Sequence, residues 1–250
     1  DLRTGAVYGT GKREENLRGY FAAISAMDEQ IGRLLDAVEE QGLADNTVIL
    51  FTADNGMSMG QHGVWGKGNG TFPMNMYDSA VKVPFLISWP GHIPANTVCS
   101  EMISACDLLP TILKLTGLSD KQPTGLPGRS FTELLKGEQR EHRDEVVIFD
   151  EYGPVRMIRT KEWKYVHRYP YGKHELYHLV DDPGEEKNLY GLPEYKKLVT
   201  QLKGRMEKWF CTYSDPAIDG VRSAVNGSGQ LCRPGVYAIY EDPFAPKGVE

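Results

Sequence analysis

Over residues 16–41 the apolar side chains Tyr20, Ile24, Met27, Ile31, Leu34, Leu35 and Val38 recur at spacings of three and four. That period predicts an amphipathic helix, because side chains three and four apart share one face. Gly42 follows where a left-handed cap would end it, and Asp45-Asn46 supplies the next turn. The run 47–52, Thr-Val-Ile-Leu-Phe-Thr, is short, β-branched and apolar on both faces. It predicts a strand covered by helices in a mostly parallel sheet, and it stops at Ala53-Asp54-Asn55-Gly56. After a Gly-rich stretch, residues 83–88 predict a second buried strand, ended by Trp89-Pro90-Gly91. Residues 107–117 predict a helix with Asp107 near its N-cap, Pro110 in its first turn and Gly117 as its stop.

Helix, strand, loop, strand and helix in this order describe an α/β layer. Over residues 125–137 the composition shifts towards Pro, Gly and charge, and the pattern changes with it. Segments 145–152, 155–160 and 164–168 read as short strands joined by tight turns, which suits a small antiparallel sheet, and 193–210 reads as a further helix. The subdomain boundary falls near residue 140, dividing the chain into 1–140 and 141–250. The tail, 212–250, is rich in Gly, Pro and Ser and predicts loops only.

Of the 250 residues, 40% are hydrophobic and 25% charged, an ordinary globular composition. No apolar run approaches the roughly 20 residues of a membrane-crossing helix. With 28 Lys and Arg against 34 Asp and Glu the formal charge is −6, a poor start for nucleic-acid binding. Cys99, Cys106, Cys211 and Cys232 are too few and too scattered for a disulfide scaffold, although Cys211 and Cys232 could staple the tail to the last helix. The first ten residues hold neither an initiator Met nor a signal segment, so further chain is expected upstream.

Candidate chemistry begins at the end of the first strand, since ligands of α/β sheets collect beyond the carboxyl ends of strands. There Asp54 and Asn55 offer only oxygen donors to a cation, which favours a hard ion such as calcium over zinc. The same three residues, Asp-Asn-Gly, also suit a simple turn. Lys67, twelve residues after Asn55, lies among glycines that let backbone approach a ligand, where an ammonium can meet an oxyanion. It equally suits a solvated loop. His62 suits an acid, a substrate contact or a loop histidine.

Taken together, ordered blocks carry a resemblance. Tyr20-Phe-Ala-Ala-Ile-Ser-Ala-Met-Asp28-Glu-Gln-Ile-Gly32, Phe51-Thr-Ala-Asp-Asn-Gly56, His62-Gly-Val-Trp-Gly-Lys67, Val83-Pro84 and Trp89-Pro-Gly91 resemble the carboxyl-terminal half of type I, formylglycine-dependent sulfatases. Asp107-Leu-Leu-Pro-Thr-Ile, Leu126-Pro-Gly-Arg-Ser130, Arg159-Thr-Lys-Glu-Trp-Lys-Tyr165 and Glu175-Leu-Tyr-His-Leu-Val-Asp-Asp-Pro183 are similar to later blocks of that family. The resemblance covers roughly residues 16–210. It implies an α/β core of the alkaline phosphatase-like superfamily, truncated at its amino side, with a mostly parallel sheet. A small subdomain with an antiparallel sheet and helix follows.

The implied activity is calcium-dependent hydrolysis of sulfate esters, by a formylglycine made within a C/S-x-P-x-R signature. By the resemblance Asp54 and Asn55 are calcium ligands, Lys67 contacts the sulfate and steadies the leaving oxygen, and His62 is a substrate contact. The implied partner is a sulfated small molecule or carbohydrate, and the implied location periplasmic or extracellular. The signature itself is absent: Cys232-Arg-Pro-Gly-Val236 has its Pro but not its Arg, and no other Cys precedes a matching segment. The chain is therefore expected to hold half an active site and to be inactive alone. The alternatives are a phosphomonoesterase or phosphodiesterase of the same superfamily, or a non-catalytic binding fragment.

Overall fold

The structure, a computed structural model, describes residues 3–4, 13–138, 141–150, 153–169, 172–217 and 219–222. After β1 (Arg3–Thr4) comes α1 (Arg13–Glu40), which carries the expected stripe. Gly42, at φ 64°, ends the helix: its N–H donates to Glu39 O at 2.9 Å and that of Leu43 to Val38 O at 3.0 Å. These two bonds satisfy carbonyls that a helix end leaves unpaired, and a residue with a Cβ would strain at that φ.

β2 (Ile49–Thr52) runs to the Asp54-Asn55 turn. The chain then makes an excursion through β3 (Ser58–Met59), β4 (Trp65–Gly66), β5 (Thr71–Phe72) and α2 (Asp78–Val81), and returns as β6 (Phe85–Ser88). β3 pairs with β4 and β5 with β1, both antiparallel. The expected parallel arrangement is corrected for the pair that matters here. β2 and β6 are antiparallel, with Ile49 opposite Ser88 and Thr52 opposite Phe85. An apolar run reports burial and not direction, and this excursion leaves and re-enters at the same end of the pair, where Thr52 Oγ1 donates to Pro84 O at 2.9 Å.

α3 (Leu108–Leu115) follows a short 3-10 turn over Ala105–Asp107 that is capped by Ser104. Asp107 is the N-cap residue of α3, as expected, but its side chain serves the preceding turn, completing that turn's capping box from the third position: its Oδ2 accepts from Ser104 N at 2.9 Å. The carboxylate is fully buried and also accepts from Arg143 Nε at 2.6 Å and Arg129 N at 2.7 Å, which ties α3 to later chain. Burial alone would raise its pKa, and the Arg143, Arg129 and Ser104 donors hold it below the ordinary range.

After α4 (Thr132–Leu135) come β7 (Val146–Phe149), β8 (Val155–Arg159), β9 (Trp163–Arg168) and β10 (Glu175–His178). They form one antiparallel sheet in the order β10-β9-β8-β7. Three of its strands lie where the pattern placed them. β10, Glu-Leu-Tyr-His, alternates too weakly to be read as a strand, and its Glu175 is buried only because Arg168 pairs with it at 3.1 Å. α5 (Lys196–Tyr213) lies over the sheet and lays Leu202, Met206 and Phe210, four residues apart, against Val147, Ile158, Tyr165, Leu176 and Leu189. This is the largest apolar core among the described residues, and it lies behind the candidate site.

Candidate active site

The turn after β2 is built by short-range bonds. Asn55 N–H donates to Asp54 Oδ1 at 2.7 Å, and Asn55 Nδ2 to Gly56 O at 2.9 Å. Gly56 N–H donates to Ala80 O at 2.9 Å, so the turn sits directly on α2. Contact there is close enough that a Cβ on Gly56 would lie 2.2 Å from Ser79 O; only glycine fits. Ser58 and Ser79 add a hydroxyl–hydroxyl bond of 2.7 Å beside it. Asp54 is left exposed and Asn55 half-buried.

Lys67 follows β4 and reaches back to this turn: its Nζ donates to Asn55 Oδ1 at 3.1 Å. Three residues singled out from the sequence, Asp54, Asn55 and Lys67, are thus brought together. The loop carrying Lys67 is held by Asn75, buried to 1% exposure, whose Nδ2 donates to Lys67 O at 3.3 Å and to Gly68 O at 3.1 Å. His62 is exposed, in the left-handed region at φ 54°, and its ring stacks on Tyr77 with centroids 3.7 Å apart and planes 4° from parallel. Among the described residues its ring nitrogens have no hydrogen-bond partner.

A cation fits this donor set in kind and falls short in number. Asp54 and Asn55 present hard oxygens, but calcium takes six to eight, and the described residues hold no cluster of three His, Cys, Asp or Glu that could supply the rest. Asn55 Oδ1 also already carries the Lys67 ammonium. Two clefts, of about 340 and 820 Å³, lie along α5 beside Trp163 and Arg205 and beside Pro193 and Thr200. Neither includes Asp54, Asn55, His62 or Lys67; with Asp54 and His62 exposed and Asn55 and Lys67 half-buried, this side of the site is an open ledge.

Beneath the ledge lies a network the sequence did not disclose. Asp78, at the start of α2, is gripped by Arg159 through Nε to Oδ1 at 3.2 Å and Nη2 to Oδ2 at 3.0 Å. Fully buried Lys164 pairs with Asp78 and Glu185 and donates to Met76 O at 3.0 Å, while Glu185 Oε2 accepts from Asp78 N at 2.6 Å. Burial would raise the Asp78 pKa, but Arg159 and Lys164 more than offset it and hold it at about 2. For Glu185 burial prevails and the pKa is raised. Arg159 and Lys164 lie within one of the blocks quoted above; that a lysine is almost never buried unpaired would have pointed to partners, though not to which. Cys99, Cys106 and Cys211 are exposed free thiols, and Cys232 lies outside the described residues.

Residues 60–211 match the family model described as N-sulphoglucosamine sulphohydrolase, C-terminal. An "ulvan-active sulfatase" of Formosa agariphila is 32% identical over 214 residues, covering 82% of this chain and 40% of that protein. A structure solved in complex with its substrate, D-glucosamine-2-N,6-O-disulfate, superposes with a TM-score of 0.72 at 30% identity, over 83% of this chain and 42% of the other. A phosphonate monoester hydrolase of Agrobacterium radiobacter superposes at 0.66 with 27% identity, over 78% and 41%. The chain therefore spans about two fifths of the length of the relatives it matches.

Proposed function

The chain belongs to the sulfatase family, with the alkaline phosphatase-like α/β fold and the family's antiparallel carboxyl-terminal subdomain, and from that premise we propose that it supplies one side of a sulfate-ester hydrolase active site. The observation that carries this reading is the Lys67–Asn55 contact, which sets an ammonium beside the only hard-oxygen pair at the end of β2. In this reading Asp54 and Asn55 are the calcium ligands of this chain, and calcium, when bound, neutralises charge on the sulfate oxygens. Lys67 binds a sulfate oxygen and stabilises charge as it moves to the leaving oxygen, an interaction made mainly in the transition state. Asn55 orients Lys67 until substrate arrives. The nucleophile, a formylglycine, belongs to chain outside these residues, so the 250-residue chain alone is inactive.

A sulfated carbohydrate is the substrate class we favour. The relatives that support it act on ulvan or hold a glucosamine disulfate, and the open ledge beside His62 suits polar contacts to hydroxyls. Such a substrate goes with a periplasmic or extracellular location. No helix among the described residues is long and apolar enough to cross a membrane. The likeness to a phosphonate monoester hydrolase favours a second reading, hydrolysis of a phosphorus ester on the same scaffold. The residue after Asp54 speaks for the first, because the phosphoryl-transfer relatives more often carry His where Asn55 stands.

The test joins this chain to an upstream sulfatase segment bearing the signature. Lys67→Ala should lower kcat on the order of 100-fold, as losing one oxyanion donor does, and added calcium should not restore it. Asp54→Ala should lower calcium affinity, and excess calcium should recover part of the activity. Near wild-type kcat in Lys67→Ala, or equal rescue of both variants, would refute the role given to Lys67.

A further inference from the structure

Between the Lys67 loop and the carboxyl-terminal sheet runs a strap of five residues, Met74-Asn-Met-Tyr-Asp78, without regular structure until α2 begins and extended at Tyr77. Its successive side chains make contacts on two sides. On one side, Met74 and Met76 pack with Val155, Met157 and Val166, and Asp78 takes Arg159 and Lys164. Main-chain oxygens join in: Arg168 Nη2 donates to Met74 O at 3.1 Å and Lys164 Nζ to Met76 O at 3.0 Å. On the other side, Asn75 braces the Lys67 backbone, and Tyr77 meets His62. Tyr77 is buried against Tyr177 and Leu179, with the Tyr177 ring centroid 6.5 Å away.

We propose that Tyr77 is a positioning residue for substrate recognition: pinned by Tyr177 and Leu179, it holds the His62 imidazole flat and aims its nitrogens at the substrate. The proposal rests on the reading of His62 as a substrate contact. A non-glycine residue in the left-handed region costs roughly 1 kcal/mol or more and persists where surrounding contacts over-determine it. Among the described residues the contact that does so for the exposed His62 ring is the parallel stack at 3.7 Å. Stacking uses the ring faces and leaves both nitrogens at the edge, free to bond a ligand hydroxyl or sulfate oxygen. The aim of the imidazole is then set by the carboxyl-terminal sheet, through β10, rather than by the loop that carries it.

The test has two readouts. In the 250-residue chain, proton NMR of the histidine rings, with His62 assigned by His62→Gln, should show its ring protons shifted upfield by the Tyr77 ring current. Tyr77→Phe should keep that shift and Tyr77→Leu should lose it. Tyr177→Leu, which leaves Tyr77 in place, should reduce it, and it serves as the second variant if Tyr77→Leu does not fold. An unchanged shift in a folded Tyr77→Leu or Tyr177→Leu protein overturns the proposal. In the joined enzyme Tyr77→Leu should raise KM about tenfold with kcat within about threefold, and Tyr77→Phe should restore KM. His62→Gln separates the two ways of failing. If it raises KM while Tyr77→Leu does not, positioning by Tyr77 is overturned; if it leaves KM unchanged, the reading of His62 as a substrate contact fails and the proposal with it.

Discussion

Two helices of this molecule carry the same hydrophobic period and meet opposite fates. α5 buries Leu202, Met206 and Phe210 to 5% exposure or less against the four-stranded sheet. α1, ten residues longer, buries none of its residues; Phe21 is 55% exposed and Leu34 67%. The β2–β6 pair shares this openness, with Leu86 at 61%. Periodicity states which face of an element requires a partner, and says nothing of whether the partner is among the residues at hand. The carboxyl-terminal unit closes its own core. The amino-terminal layer presents an apolar stripe that none of the described residues buries, in a chain that spans about two fifths of the length of its relatives.

This contrast can be broken most directly by truncation on each side. Met206→Ala should destabilise the chain by about 3 kcal/mol in chemical denaturation, because it removes a fully buried side chain and leaves a cavity, whereas Leu34→Ala should change stability by less than about 0.5 kcal/mol. Comparable losses from both would mean that α1 is packed in solution. Next in size, Asp78→Asn should cost about 2 kcal/mol, since it removes a carboxylate that neutralises a fully buried Lys164. Its native pKa of about 2 lies below the ordinary 3.8, so the stability this pairing contributes is present above pH 3.8 and is lost as pH falls towards 2.

Acid should also weaken the carboxyl-terminal unit at milder pH. Burial, helped by His174, Lys203 and Arg156, holds the His167 pKa at about 3, while an unfolded histidine titrates near 6.5. The unfolded chain therefore takes up a proton below pH 6.5 that the folded chain refuses until about pH 3, and stability falls across that window. Tm should drop by roughly 5 °C between pH 7.5 and pH 4.5, and His167→Gln should flatten the profile. The smallest expected effect is on α1: Leu34→Lys should leave the denaturation midpoint unchanged and reduce self-association in sedimentation velocity, as fits an exposed apolar patch.

What the sequence disclosed was local. The α1 stripe, the Gly42 cap and the Asp54-Asn55 turn were legible, since each depends on spacing or on a residue's own backbone preference, whereas a place for Lys67 in the same site came only from the family resemblance. The direction of β6 was not, because an apolar run is equally buried by a parallel or an antiparallel neighbour. Asp78, Arg159, Lys164 and Glu185 were not recognised as a cluster either: 107 residues separate Asp78 from Glu185, and singly each looks like ordinary surface charge. Tyr77 was overlooked for the same reason, as nothing in Met-Tyr-Asp announces a histidine fifteen positions earlier.

The sealed ammonium of Lys164 gives the molecule a built-in tamper mark. An amine-acylating reagent in brief contact with the native protein has ready access to exposed lysines such as Lys161, 48% accessible at its side chain, and none to Lys164. Acylation of Lys164 thus records each separation of α2 from the carboxyl-terminal sheet, and its rate times how often the ledge beneath Asp54 and Lys67 loses its footing.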